Sequence, residues 1–181
     1  MLKAILIVIL IAVAGVLAAA AMRPDSFKVQ RQASIKAPPE KVFPLINDFR
    51  SWGAWSPWEK KDPQMKRSFG PSTSGKGATY AWQGNKDVGE GSMQIVESNA
   101  PRNLKLDLRF EKPFAARNTV DFMLQPGAEG TTVVWAMEGA TPFFAKIVHL
   151  FLDMDAMVGK DFEAGLAALR DLAEKEAAKT P

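Results

Sequence analysis

Cysteine is absent from this 181-residue chain, and histidine and tyrosine occur once each, at His149 and Tyr80. Disulfides, thiolate chemistry, iron–sulfur clusters and cysteine zinc sites are thereby excluded, and one histidine cannot build a histidine-rich metal centre. A basic block is also missing. The 23 lysines and arginines are scattered among 20 aspartates and glutamates, for a net charge of +3 and an isoelectric point near 9.2, so nothing in the charge pattern supports nucleic-acid binding. The lack of cysteine is compatible with either side of a membrane. What remains is 47% hydrophobic and 24% charged, enough for one globular domain with a sizeable core.

Charge is missing altogether from residues 4–22, "AILIVILIAVAGVLAAAAM", between Lys3 and Arg23. As a helix this run would be about 28 Å long, close to the hydrocarbon thickness of a bilayer. The small residues at 18–21 would suit a signal peptidase, yet the apolar run is longer than a typical signal core and its charged flank is short. Residues 1–23 are therefore read as a retained single-pass anchor in preference to a cleaved signal, and residues 24–26 as a linker. Lys3 and the amino terminus oppose Arg23, Lys28 and Arg31, so the positive-inside rule does not decide orientation. An extracytoplasmic (periplasmic) domain is the preferred topology over a cytoplasmic one.

Beyond the anchor, "FKVQRQASIKA" alternates, with Phe27, Val29, Ala33, Ile35 and Ala37 on one face and Arg31 as an inward anomaly, the pattern of a half-buried strand. "PPEKVFPLINDF" has helical spacing interrupted by Pro44 and predicts two short helices. "NDFRSWGAWSPWEK" then sets Trp52, Trp55 and Trp58 in a stretch that reads as loop. From Met65 to Glu138 five or six strands recur with short turns, including a hairpin-like connection at 85–89, which implies an antiparallel meander. Thr141 and Pro142 supply a cap and a first-turn proline for a helical region broken near Asp153. Along it Met154, Val158, Phe162, Gly165, Leu166, Leu169 and Leu172 recur at helical period. A curved sheet with one apolar face, covered by one long helix, gives an α+β fold with room for a cavity between the two.

This order, with the stretches "IKAPPEKVFPLINDFRSWGAWSPWEKKDP" and "MVGKDFEAGLAALRDL", resembles the polyketide cyclase/dehydrase-like branch of the SRPBCC superfamily, the START and Bet v 1-like helix-grip domains. The resemblance spans about residues 27–175; the domain is set at 27–176 and a tail at 177–181. It implies a hydrophobic small molecule or lipid as ligand; that no cofactor is needed is expected separately, from the missing cysteine and the single histidine. A minority of such domains catalyse cyclisation or dehydration, and a shared container fixes no reaction.

The ligand-binding candidates are Trp52 and Trp55, the strand residues Tyr80, Trp82, Met93, Phe122 and Trp135, and the helix residues Met154, Val158, Asp161 and Gly165. The tryptophans either fill the gap between helices and sheet or line the cavity, with Trp58 structural and Trp52 nearer the rim. Met93, Met123, Met137, Met154 and Met157 suit a surface for variable apolar ligands or an ordinary core. Asp161 either pairs with Arg31 or Arg117 or anchors a ligand head group. Gly159 and Gly165 permit close approach to the sheet or leave room for a ligand; in the second case bulk added at Gly165 would be absorbed, and Trp52→Ala would change probe uptake more than stability. "GPSTSGKG", residues 70–77, has phosphate-loop spacing but lacks the Ser or Thr after lysine and the following helix, so nucleotide binding is rejected. His149 has no visible partner. Glu90, Glu97, Asp121 and Glu138 show no acid–base spacing, and catalytic residues stay unassigned. The preferred function is a membrane-anchored binding or carrier domain for an apolar ligand. The alternatives are a cyclase or dehydratase, and a module that binds a partner protein with no ligand cavity. Oligomeric state is left open.

Overall fold

A computed structural model describes residues 1–179; residues 180 and 181, the end of the expected tail, lie outside the described residues. Helix α1 (Leu2–Ala21) is followed by strand β1 (Ser26–Ile35), helix α2 (Pro39–Asn47), a 3-10 turn (Phe49–Ser51) and two short helices, α3 (Trp52–Trp55) and α4 (Pro57–Lys61). The strands β2 (Lys66–Phe69), β3 (Thr79–Gln83), β4 (Glu90–Asn99), β5 (Asn103–Lys112), β6 (Ala116–Gly127) and β7 (Gly130–Ala140) follow, then α5 (Phe143–Val148) and α6 (Met154–Ala177).

The seven strands form one antiparallel sheet in the order β1-β7-β6-β5-β4-β3-β2. From β2 to β7 each strand pairs with the next, through a longer connection between β2 and β3 and shorter ones after it, and β1 closes against β7 with Val29 opposite Met137 and Arg31 opposite Trp135. Register shifts at Glu90/Gly91 and Ile95/Glu97 bend β4, the usual way a bulge adds curvature. The concave face carries Leu104, Leu106, Val120, Phe122, Leu124, Val133 and Trp135, all buried, and Phe162, Leu166, Leu169 and Ala173 of α6 cover it. The chain is thus a helix-grip domain preceded by an apolar N-terminal helix.

Three local expectations change. Pro44 does not split the segment: α2 runs through it as one helix, because a single missing N–H interrupts the bond ladder without ending it. The tryptophan stretch is not loop but a chain of helical turns, started by Asp48 Oδ1 accepting from the Arg50 N–H. Nor does Thr141 cap the next helix. Its N–H donates to the Asp25 carbonyl while its hydroxyl is buried with no partner among the described residues. The break near Asp153 is present, and that residue caps α6 by accepting from the Ala156 N–H at 2.9 Å.

The last four carbonyls of α2 explain the tryptophans. A helix end leaves such groups without intrahelical partners, and here each finds one: Pro44 O accepts from Asp48 N, and Asn47 O from Gly75 N at 3.2 Å. Trp55 Nε1 donates to Leu45 O at 2.9 Å, and Trp52 Nε1 to Ile46 O at 3.0 Å. Two indoles and the glycine-rich connection from β2 to β3 thus complete a buried helix terminus. Gly75, with φ of 72°, takes the left-handed backbone that this turn requires.

Candidate functional site

A cavity of about 180 Å³ lies between the sheet and α6. Its sheet wall is Tyr80, Trp82, Met93, Leu108, Phe110, Val120, Trp135 and Met137. The opposite wall is Val158, Asp161 and Phe162 of α6, and Trp52, Ser56, Trp58 and Glu59 close one side. Met65 and the β3–β4 turn residues Asp87 and Val88 complete it. Strand direction places it at one end of the sheet, where β3 and β5 finish, β4 and β6 begin, and β7 runs out towards α5.

Of the sequence candidates, Trp52, Tyr80, Trp82, Met93, Trp135, Val158 and Asp161 meet around this space. Trp55, Phe122, Met154 and Gly165 are not in its lining. Trp55 and Phe122 are fully buried below it, their rings edge to face at a centroid distance of 6.1 Å. Met154 opens α6. At Gly165 a Cβ would stand 2.8 Å from Trp135 Cζ3 and 3.0 Å from Pro57 Cδ, so this glycine is a close approach to the sheet and offers no space for bulk. The assignment of the tryptophans is reversed as well. Trp52 is 4% exposed and bonded to α2, whereas Trp58 is the half-exposed one, edge to face with Trp135 and Phe162.

The methionines divide. Met93 and Met137 line the cavity, while Met123 and Met157 are exposed. Asp161 pairs with neither expected arginine; Lys61 Nζ donates to it at 2.6 Å. Arg31 instead holds Asp155 and Glu163, each at 2.8 Å, and Arg117 holds Asp107. The inward arginine of β1 is satisfied by α6, at residues on either side of Asp161 in sequence, and its guanidinium lies over Gly159, where a Cβ would collide with it.

The polar part of the wall is a relay that sequence spacing did not reveal. Tyr80 Oη donates to Glu59 Oε1 at 2.6 Å, and Arg67 Nε donates to Glu59 Oε2 at 2.6 Å. The Glu59 side chain is 9% exposed, and its two donors offset the cost of burying a carboxylate. Burial, then the bond to Glu59, pushes the Tyr80 hydroxyl well above the ordinary phenol range; the bond to Glu59 likewise raises Arg67. Glu59 and Arg67 lie on α4 and β2, and only the fold sets them beside Tyr80. One further group is notable: Trp135 Nε1 is buried and has no acceptor among the described residues, although the ring itself is stacked on Phe162 at 4.1 Å.

His149 closes α5 with its ring edge to face against Phe27. No group of three or more acidic or histidine side chains that could hold a metal occurs among the described residues.

A curved sheet gripping one long helix around an apolar cavity defines a helix-grip ligand container. The chain belongs to the family described as polyketide cyclase/dehydrase and lipid transport, whose profile matches residues 26–174, a family of SRPBCC type. Solved structures share the fold at low identity. A protein of unknown function from Staphylococcus aureus is 12% identical with a TM-score of 0.61, covering 84% of this chain and 96% of its own. A protein from Chromobacterium violaceum is 15% identical with a TM-score of 0.58, covering 83% and 99%. The Aha1 dimer from Colwellia psychrerythraea is 15% identical with a TM-score of 0.56, covering 82% and 96%. No curated protein matches the sequence.

Proposed function

We propose that this chain is a membrane-anchored binding or carrier domain, with residues 1–23 as anchor and 27–176 as container, that holds one slender apolar molecule or acyl chain between sheet and α6. The observation that carries the reading is the cavity, with its apolar aromatic wall. At about 180 Å³ it is comparable to a cavity of about 150 Å³ that holds benzene, and smaller than the ~300 Å³ and above usual for drug-sized ligands. A single chain or ring suits that space better than a folded multi-ring polyketide. Apolar helix α1 is long enough to cross a bilayer and only 6% of its most apolar window is buried, which supports the anchor.

The cyclase alternative has less support in the wall chemistry. Tyr80 is held protonated by its burial and by the bond to Glu59, which suits a hydrogen-bond donor better than a group that must shed its proton near neutral pH.

The test is a blocked cavity. Val158 lies on its helix wall, and Val158→Phe would occupy space there. Loss of uptake of an apolar fluorescent probe, with an unchanged or raised melting temperature, is expected. If the wild-type domain takes up no such probe and yields no lipid in native mass spectrometry, the container reading is wrong.

A further inference from the structure

Four of the five exposed phenylalanines, Phe114, Phe143, Phe144 and Phe151, lie at one end of the domain. Phe143 and Phe144 begin α5, Phe151 is in the turn after it, and Phe114 is at the tip of the β5–β6 hairpin. Phe114 and Phe144 meet across the two segments at a ring-centroid distance of 6.3 Å, and Leu152 and Met157 add further exposed apolar surface nearby. Phe114 is 71% and Phe151 73% exposed. A cluster of this kind marks an interaction surface.

Its position names the partner. α5 packs on α1, and only residues 22–25 separate α1 from β1, a reach of at most about 14 Å even when fully extended. That linker is also tied down: Thr141 N donates to Asp25 O, and buried Lys146 of α5 pairs with the Asp25 carboxylate, which this bond holds below the usual carboxylate range. The segment leaving α1 and the start of α5 therefore form one unit. If α1 crosses a bilayer, the phenylalanine end can only face that bilayer's surface. The cavity is at this same end of the sheet.

We propose that α5, the β5–β6 hairpin and the α5–α6 turn lie in the interfacial layer of the bilayer that α1 crosses, with the four phenylalanines inserted and the cavity presented to lipid. This rests on the anchored-container reading. The surface is aromatic and aliphatic and its one buried cation is paired, so insertion depends on apolar contact and not on anionic lipid. A ligand would then pass between membrane and cavity without crossing water.

The chain has no cysteine, so single labels can be placed cleanly. The full chain is reconstituted into phosphatidylcholine vesicles with a fluorophore on Phe114→Cys, Phe144→Cys, Val13→Cys within α1, or Glu129→Cys in the β6–β7 turn at the opposite end. Nitroxide-bearing lipid and aqueous iodide serve as quenchers. Labels at 13, 114 and 144 are all expected to be quenched by the lipid, and the label at 129 by iodide alone. If 13 responds to lipid but 114 and 144 respond only to iodide, the docking is refuted while the anchored container stands. If 13 does not respond to lipid, the anchor fails and the docking with it. If 114 and 144 are shielded from both quenchers, protein covers the patch, a second copy being the simplest cover, and the proposal is overturned. The labelled positions in the domain are exposed, so folding is preserved, and circular dichroism of each labelled chain verifies it.

Discussion

Trp52 and Gly165 show how a single side chain, or the lack of one, divides structural from binding roles. Trp52 fills space between Phe49, Trp55 and Phe122 and satisfies a carbonyl of α2. Trp52→Ala should therefore cost about 3–5 kcal/mol in urea denaturation, the range for buried tryptophan truncation, and Trp58→Ala distinctly less; equal losses would contradict this division. At Gly165 any side chain meets the face of the sheet, and Gly165→Leu should destabilise by about 1–3 kcal/mol through overpacking. The same measurement on Val158→Phe should show little loss, because that residue borders open space.

Between elements, the Arg31 clamp joins β1 to α6. Its guanidinium bonds the Asp155 carboxylate and carbonyl and the Glu163 carboxylate, and the bond to Arg31 holds Asp155 below its usual range. A folded pKa below the unfolded one means that the unfolded chain binds more protons in the interval between them, so this contribution is present above about pH 4 and is lost as pH falls through the folded value. Arg31→Met should flatten the acid limb of the stability curve below about pH 4, as read by denaturation midpoints across pH. Asp121 has the opposite sign: burial, and beyond it the nearby Glu138 and Glu97, raise it despite Lys105, so its contribution falls as pH rises from the ordinary carboxylate value through the raised one. Asp121→Asn should remove that decline, and a pH profile identical to wild type would contradict the assignment.

For the whole molecule the decisive matter is how a container and an apolar helix work together. Retention of α1 predicts that protein from membranes begins at its first residues and resists carbonate extraction; a start near Ala21, by N-terminal sequencing, would make α1 a cleaved signal and leave a free domain. The container prediction is separate, because it can be measured on the domain's cavity whatever the fate of α1. The link between them is geometric: a four-residue connection from α1 to β1 and the bonds to Asp25 from Thr141 and from Lys146 of α5 set the cavity end of the sheet beside α1.

The order of elements, the alternating faces of β1 and β5 to β7, and the apolar run of α1 were all legible along the chain, since periods of 2 and 3.6 residues and the length of an uncharged stretch are local properties. The break near Asp153 and the apolar stripe of α6 were legible for the same reason. What stayed hidden depends on distances between segments remote in sequence. Nothing in the spacing could tell that Trp52 and Trp55 complete the end of α2, that Lys61 and not Arg31 takes Asp161, or that Glu59 and Arg67 flank Tyr80. Seven of the eleven candidate residues meet around the cavity; four of them, Tyr80, Trp82, Met93 and Trp135, are strand positions whose facing is readable from alternation. Which inward positions border open space and which, like Phe122 and Gly165, are packed solid was decided only when the curvature of the sheet and the closeness of α6 set how much volume remained between them.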